Sequence, residues 1–194
     1  MPQASLFSDP QYPPGFDYRP DFLSDEEERE LLQAVSQLEF ANVEIRGVVA
    51  RRRTVHFGWT YGYYSRRAEP GPPLPTFLLP YRDRIGEWAR IDPALFVEAL
   101  VTEYPAGAPI GWHRDAPQFG DVIAGMSLEG GARMKFRPYV SPSDPTTTRR
   151  ETTHEVEIKP RSAYLIADVA RREFEHSIPP VPSRRYSITF RTLR

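Results

Sequence analysis

The chain has 194 residues, 40% of them hydrophobic and 26% charged, with a formal net charge of −1 and no cysteine. This is enough chain and apolar content for one domain with a core. It excludes disulfides, thiolate zinc sites and thiol catalysis, and it gives no net positive field to draw the whole protein onto nucleic acid.

In chain order, residues 1–23 read as a proline- and aromatic-rich extended leader. They show neither the cationic start nor the apolar run of a secretory signal, and no stretch is apolar enough to span a membrane, so a cytoplasmic protein is expected. Ser24 and Glu27 form a capping box that opens a helix, with Leu31, Leu32, Val35 and Leu38 as its apolar stripe. From Asn42 to Ser65 the period changes to two, with bends or a hairpin expected at Gly58 and Gly62. A proline-rich loop spans Glu69 to Pro75. A second helix is predicted from about Pro80 to Arg90. After Asp92, short strands are predicted at 97–104, 121–128, 132–137, 153–158, 163–167 and 184–192, with a loop from Ser141 to Glu151. The 21 prolines suit such a loop-rich fold. The expectation is a mainly β protein with flanking helices, a sandwich or jelly roll.

His113 and Asp115 stand at i and i+2, a spacing that puts both side chains on one face of a strand. Alone, His-x-Asp is a weak signal. His176 is the best candidate for a third ligand from a distant strand. Two imidazoles and a carboxylate on one face of an ion leave the opposite positions open, the facial triad of non-haem Fe(II) oxygenases. The two other histidines, His56 and His154, lack such a context and read as structural or exposed.

The run Arg185-Tyr186-Ser187-Ile188-Thr189-Phe190-Arg191 alternates cleanly. Arg185, Ser187, Thr189 and Arg191 share one face. Such a face either meets an anion, as in bidentate pairing with a carboxylate, or is the solvated side of an edge strand.

In these stretches the chain resembles the AlkB family of nucleic-acid demethylases. The matching segments are Tyr104-Pro-Ala-Gly-Ala-Pro-Ile-Gly-Trp-His113-Arg-Asp115, then His176-Ser-Ile, then Arg185 to Arg191. The likeness is firm over about 102–194, with a looser echo at 51–65. It implies a double-stranded β-helix (jelly roll) core with an N-terminal helical and lid extension. The whole of 1–194 is then one dioxygenase domain, with helices and the substrate lid in 1–100 and the metal and co-substrate core in 101–194. It implies Fe(II) on His113, Asp115 and His176, and 2-oxoglutarate on Arg185 with help from the Tyr104 hydroxyl. Arg191 would lie near the keto-acid end. Arg172 matches a family arginine of no assigned role. Thr102 and Ser187 stand where the family has asparagines, which keeps a hydroxyl but loses the amide. Ala116, Pro117 and Gln118 follow Asp115 where repair members place acidic residues, which argues against a cationic methylated base.

The activity implied is oxidative N-demethylation of an alkylated nucleobase in DNA or RNA, consuming O2 and 2-oxoglutarate and releasing succinate, CO2 and formaldehyde, by a monomer. Phe57, Trp59, Tyr61 and Tyr63, with Arg51 to Arg53 and Arg66 to Arg67, form either a stacking surface for a flipped base or a sheet face buried on the core. Arg53 and these aromatics are the candidate substrate residues. Two alternatives remain at this point: the same chemistry on a protein side chain or small metabolite, and a non-catalytic jelly-roll binding module.

Overall fold

Ser24 begins the first helix as its sequence predicts. Its hydroxyl accepts from the Glu27 amide at 3.1 Å, while the Glu27 carboxylate accepts from the Ser24 amide at 2.8 Å. This satisfies two amides that the helix leaves unpaired, a gain of about 1 kcal/mol. The structure, a computed structural model, describes residues 11–45, 47–61, 68–141 and 154–193. Helix α1 spans Asp25–Val35 and α2 spans Leu79–Ala89, which ends on Arg90 in the left-handed conformation. Among the described residues no helix is long and apolar enough to cross a membrane.

The strands are β1 (Phe16–Arg19), β2 (Ala41–Ile45), β3 (Val48–Tyr61), β4 (Ala68–Pro70), β5 (Phe96–Tyr104), β6 (Ile110–His113), β7 (Phe119–Leu128), β8 (Ala132–Pro138), β9 (His154–Ile158), β10 (Ala163–Ile166), β11 (Phe174–Ile178) and β12 (Arg185–Leu193). A short helix, α3 (Asp168–Glu173), precedes β11. The larger sheet runs β1-β10-β7-β12-β5-β3-β2, with β4 also on β3; the smaller runs β6-β11-β8-β9. The two antiparallel sheets form the expected double-stranded β-helix.

Two cores flank the larger sheet. On one face α1 and α2 bury Leu31, Val35 and Ile85 against Val101, Met126, Ile188 and Phe190. On the other, Tyr104, Ile123, Tyr164 and Ile166 meet Met134, Phe136, Val156 and Ile178 of the smaller sheet. Alternation along β12 divides its side chains between these faces: Tyr186, Ile188 and Phe190 go to the helices, so Arg185, Ser187 and Arg191 go between the sheets.

Several expectations differ from what is observed. The leader contains β1, which pairs with β10 from Phe16↔Ile166 to Arg19↔Ala163, because Phe16 has aromatic partners in Phe136 and Tyr164 to bury against. The hairpin turns before Val48, at Gly47 with φ +79°, and β3 runs on through Gly58. Gly58 (φ +76°) is needed there because a side chain would strike the Val97 carbonyl. β5 spans position 100, and β1, β3 and β5 lie in the same sheet as β7 and β12. The Ser141–Glu151 loop lies outside the described residues, apart from Ser141 itself.

Candidate metal centre

Strands β6 and β11 of the smaller sheet pair with His113 directly opposite His176. Their rings lie 4.3 Å apart between centroids. Asp115 lies two residues beyond the end of β6, so it reaches the same space from a loop rather than by strand parity. One ligand atom from each of the three can be chosen so that all lie within 4.8 Å of one another.

Each candidate ligand is prepared by its neighbours. The Nδ1 of His113 is 2.8 Å from the Gly111 carbonyl. A carbonyl only accepts, so Nδ1 carries the proton and Nε2 keeps its lone pair for a metal. Burial above all, then the adjacent imidazole of His113, pushes the His176 imidazole down to about 3, outweighing Asp115 3.8 Å away. It is therefore a neutral imidazole at ordinary pH. Burial alone would raise the Asp115 carboxyl, but Arg191 above all, then His176 and His113, hold it well below the usual carboxylate range.

Arg191 donates from Nε to Asp115 Oδ1 at 2.9 Å and from Nη1 to Glu98 Oε2 at 2.9 Å. Glu98 in turn meets His56 Nδ1 at 3.3 Å. The loop that carries Asp115 is stapled by Arg171, which donates to the carbonyls of Asp115, Ala116, Phe119 and Gly120. The neighbouring Arg172 is half exposed and lies 3.8 Å from Asp168.

The second part of the site surrounds Arg185. It is fully buried, and its Nε donates to Ser127 Oγ at 2.9 Å. Its guanidinium carbon stands 5.2 Å from the centre of the Tyr104 ring. Nη1 and Nη2 have no hydrogen-bond partner among the described residues. A buried cation with two unsatisfied nitrogens is costly, and a carboxylate matches that fork in two places. Register places Tyr104 opposite Arg185 and Thr102 opposite Ser187, so all four share the face between the sheets. Tyr164 adds a buried phenol to the same core between the sheets. Its ring fits because position 125 is glycine, where any Cβ would collide with it. The residues present thus fit a divalent metal next to a dicarboxylic keto acid.

The candidate substrate residues are not brought together here. Arg53 ion-pairs with Glu103 (2.7 Å) and Phe57 packs with the helix-side core. Arg53 and Phe57 face Glu103 and Ala99 in register, and Ala99 belongs to that core. Both therefore lie on the sheet face turned from the triad. Trp59 borders an open pocket of about 440 Å³ with Leu74, Leu79 and Phe96, again by the helices. The Tyr61 side chain and Tyr63, Arg66 and Arg67 lie outside the described residues. On β3 the inner face goes to Thr54, opposite Thr102, and to His56, read from the sequence as structural or exposed, opposite Leu100. Glu98, Arg171, Ser127 and Tyr164 were not foreseen. The parity of β5 puts Glu98 on the same face as Thr102 and Tyr104, a signal the sequence did carry. Nothing in it separates Arg171 from Arg172.

A family model described as the 2OG-Fe(II) oxygenase superfamily matches residues 15–191. The chain is 31% identical over 209 residues to a protein of Arabidopsis thaliana named alkylated DNA repair protein ALKBH8 homolog, covering 93% of this chain and 59% of that protein. It is 28% identical over 196 residues to uncharacterized protein L905 of Acanthamoeba polyphaga mimivirus, covering 92% and 85%. Thus the chain spans 59% of the length of the Arabidopsis relative. Among solved structures, OsALKBH1 superposes with a TM-score of 0.68 at 15% identity, covering 93% of this chain and 98% of that one. A Pseudomonas putida prolyl-4-hydroxylase gives 0.61 at 17% identity, covering 93% of each. At these identities the two structures establish a shared fold.

Proposed function

The chain belongs to the 2OG-Fe(II) oxygenase superfamily and is an AlkB-like dioxygenase using Fe(II) and 2-oxoglutarate; from that premise we propose that it oxidatively demethylates alkylated nucleobases in DNA or RNA. We assign iron to His113, Asp115 and His176 and the far carboxylate of 2-oxoglutarate to Arg185, within one dioxygenase domain. The observation that carries the cofactor assignment is the pair of unpartnered, buried Arg185 nitrogens on the sheet face that also carries Arg191, the partner of Asp115. The substrate class rests on the likeness to a named alkylated-DNA repair relative over 93% of this chain.

Bound at these residues, iron and 2-oxoglutarate supply a two-electron oxidation in which dioxygen is consumed, the keto acid becomes succinate and CO2, and a substrate C–H becomes C–OH. Hydroxylation of an N-methyl carbon gives a carbinolamine that releases formaldehyde. The chain's own part is to orient and to protect. Arg185, with Ser127 behind it, fixes one end of the keto acid. Tyr104, Thr102, Ser187 and Tyr164 line its length. Arg191 holds one oxygen of Asp115, so that the carboxylate has a single orientation.

A second reading keeps the chemistry and changes the substrate to a protein side chain or small metabolite. It is favoured by Ala116, Pro117 and Gln118 in place of acids, and by the shared fold with a prolyl-4-hydroxylase. Membership of an oxygenase family sets aside the binding-module alternative. The test is succinate and formaldehyde release by the iron-loaded protein with methylated oligonucleotides, methylated or proline-containing peptides, and small methylated amines. Stimulation of both products by an oligonucleotide supports demethylation; stimulation by peptides or amines alone overturns it.

A further inference from the structure

The inner face of β3 presents two polar side chains that the cofactor assignment does not use, Thr54, buried opposite Thr102, and the more open His56. His56 is opposite Leu100 on β5, which is opposite Thr189 on β12. All three are only half-buried, so this row is the open part of a face that is closed further along, at Thr102, Ser187 and Arg185. It borders the metal centre through a chain of contacts: His56 Nδ1 to Glu98 Oε1 at 3.3 Å, Glu98 Oε2 to Arg191 at 2.9 Å, and Arg191 to Asp115 at 2.9 Å.

Glu98 is 1% exposed. As an ion-paired carboxylate it only accepts, so the His56 proton sits on Nδ1 and points at Glu98. The opposite ring nitrogen, Nε2, has no partner among the described residues, and the side chain is 34% exposed. In the neutral ring this Nε2 is a hydrogen-bond acceptor of fixed direction.

We propose that His56 is a specificity-determining residue of this oxygenase, whose Nε2 accepts a hydrogen bond from an N–H on the substrate beside the carbon to be oxidised. Glu98 is its positioning residue. The selected class is a neutral base that keeps an N–H next to its methyl group, such as an N6-methyladenine. A base whose edge offers only acceptors, such as 3-methyluracil, would meet lone pair against lone pair. This deepens the nucleobase reading above and rests on it.

The experiment uses the full chain with iron and 2-oxoglutarate at pH 8, and single-stranded oligonucleotides carrying either N6-methyladenine or 3-methyluracil. Wild type is expected to prefer the first. His56→Asn keeps a donor toward Glu98 but removes Nε2, and His56→Phe removes both. Each should raise KM for the methyladenine oligonucleotide by about tenfold, the worth of one hydrogen bond, with a smaller effect on kcat. The affinity for Mn(II) and 2-oxoglutarate, measured by calorimetry, should change less than about twofold. Glu98→Gln can donate to Nδ1, which moves the ring proton to Nε2 and reverses its polarity. That variant should shift the preference toward 3-methyluracil, an outcome that a merely structural Glu98 would not give. If wild type acts on either oligonucleotide but the ratio of the two KM values is the same in all variants, the proposal fails and the nucleobase reading stands. If His56 variants lose Mn(II) affinity in parallel with activity, His56 is a support of the metal centre and the proposal fails. If neither oligonucleotide stimulates wild type while succinate still forms without substrate, the nucleobase reading fails and the proposal falls with it.

Discussion

Arg191 Nε donates to Asp115 Oδ1 at 2.9 Å, which leaves Oδ2 as the oxygen turned toward His176, 3.8 Å from its Nε2. The second arginine of the C-terminal strand thus orients a metal-ligand candidate from behind, while its other branch is held by buried Glu98.

Arg191→Leu removes the partner of two buried carboxylates at once. Mn(II) or Fe(II) affinity is expected to fall between about tenfold and a hundredfold, the usual effect of losing such support. The protein should also lose about 3 kcal/mol of stability, read by urea unfolding. Unchanged metal affinity would show that Asp115 needs no such support.

Arg185→Met should separate stability from binding. In the protein without co-substrate, the guanidinium is buried with two unpartnered nitrogens, so replacing it with an apolar chain of similar volume is expected to be neutral or stabilising. Addition of 2-oxoglutarate with Mn(II) should raise the Tm of wild type through linkage and leave that of the variant unmoved. A full Tm rise in the variant would place the co-substrate elsewhere.

The pH response of the metal-free protein follows from His176, lowered from 6.5 to about 3 mainly by burial. Between those values the unfolded chain binds a proton there that the folded chain does not, so stability rises with pH across this window and is lost as pH falls from 6.5 toward 3. The full effect is about 5 kcal/mol at the acid end. Asp115, whose folded value is depressed, adds a further loss below about pH 4. Chemical denaturation from pH 7.5 to 4 should show the first slope, and His176→Phe should flatten it. An equal slope in the variant would assign it to other groups.

Gly125→Ala puts a methyl group against the Tyr164 ring. The ring has no room to retreat, being 6% exposed within the core between the sheets. The expected result is a loss of about 1–3 kcal/mol, together with weaker 2-oxoglutarate binding as the phenol is displaced from the face between the sheets. Tyr164→Phe should weaken co-substrate binding without the stability loss. Wild-type affinity in both would remove Tyr164 from the cradle.

The sequence by itself determined the periodic and the local: the Ser24–Glu27 cap, α2, the strands around Arg185 and Tyr104, and the residue types of a facial triad. These depend on side-chain period and on neighbours a few positions apart, which are written in the chain. The tertiary structure decided which sheet face each residue joins and which distant partner it meets. Phe57 and His56 are adjacent in sequence, yet one packs on the helices and the other meets Glu98, because the pairing register of β3 on β5 sets their faces. The same holds for Arg171 and Arg172: the turn of a six-residue helix buries one under the Asp115 loop and leaves the other in solvent. A shift of strand register by one residue exchanges a pair such as His56 and Phe57, and only the long-range packing of two sheets and two helices fixes it.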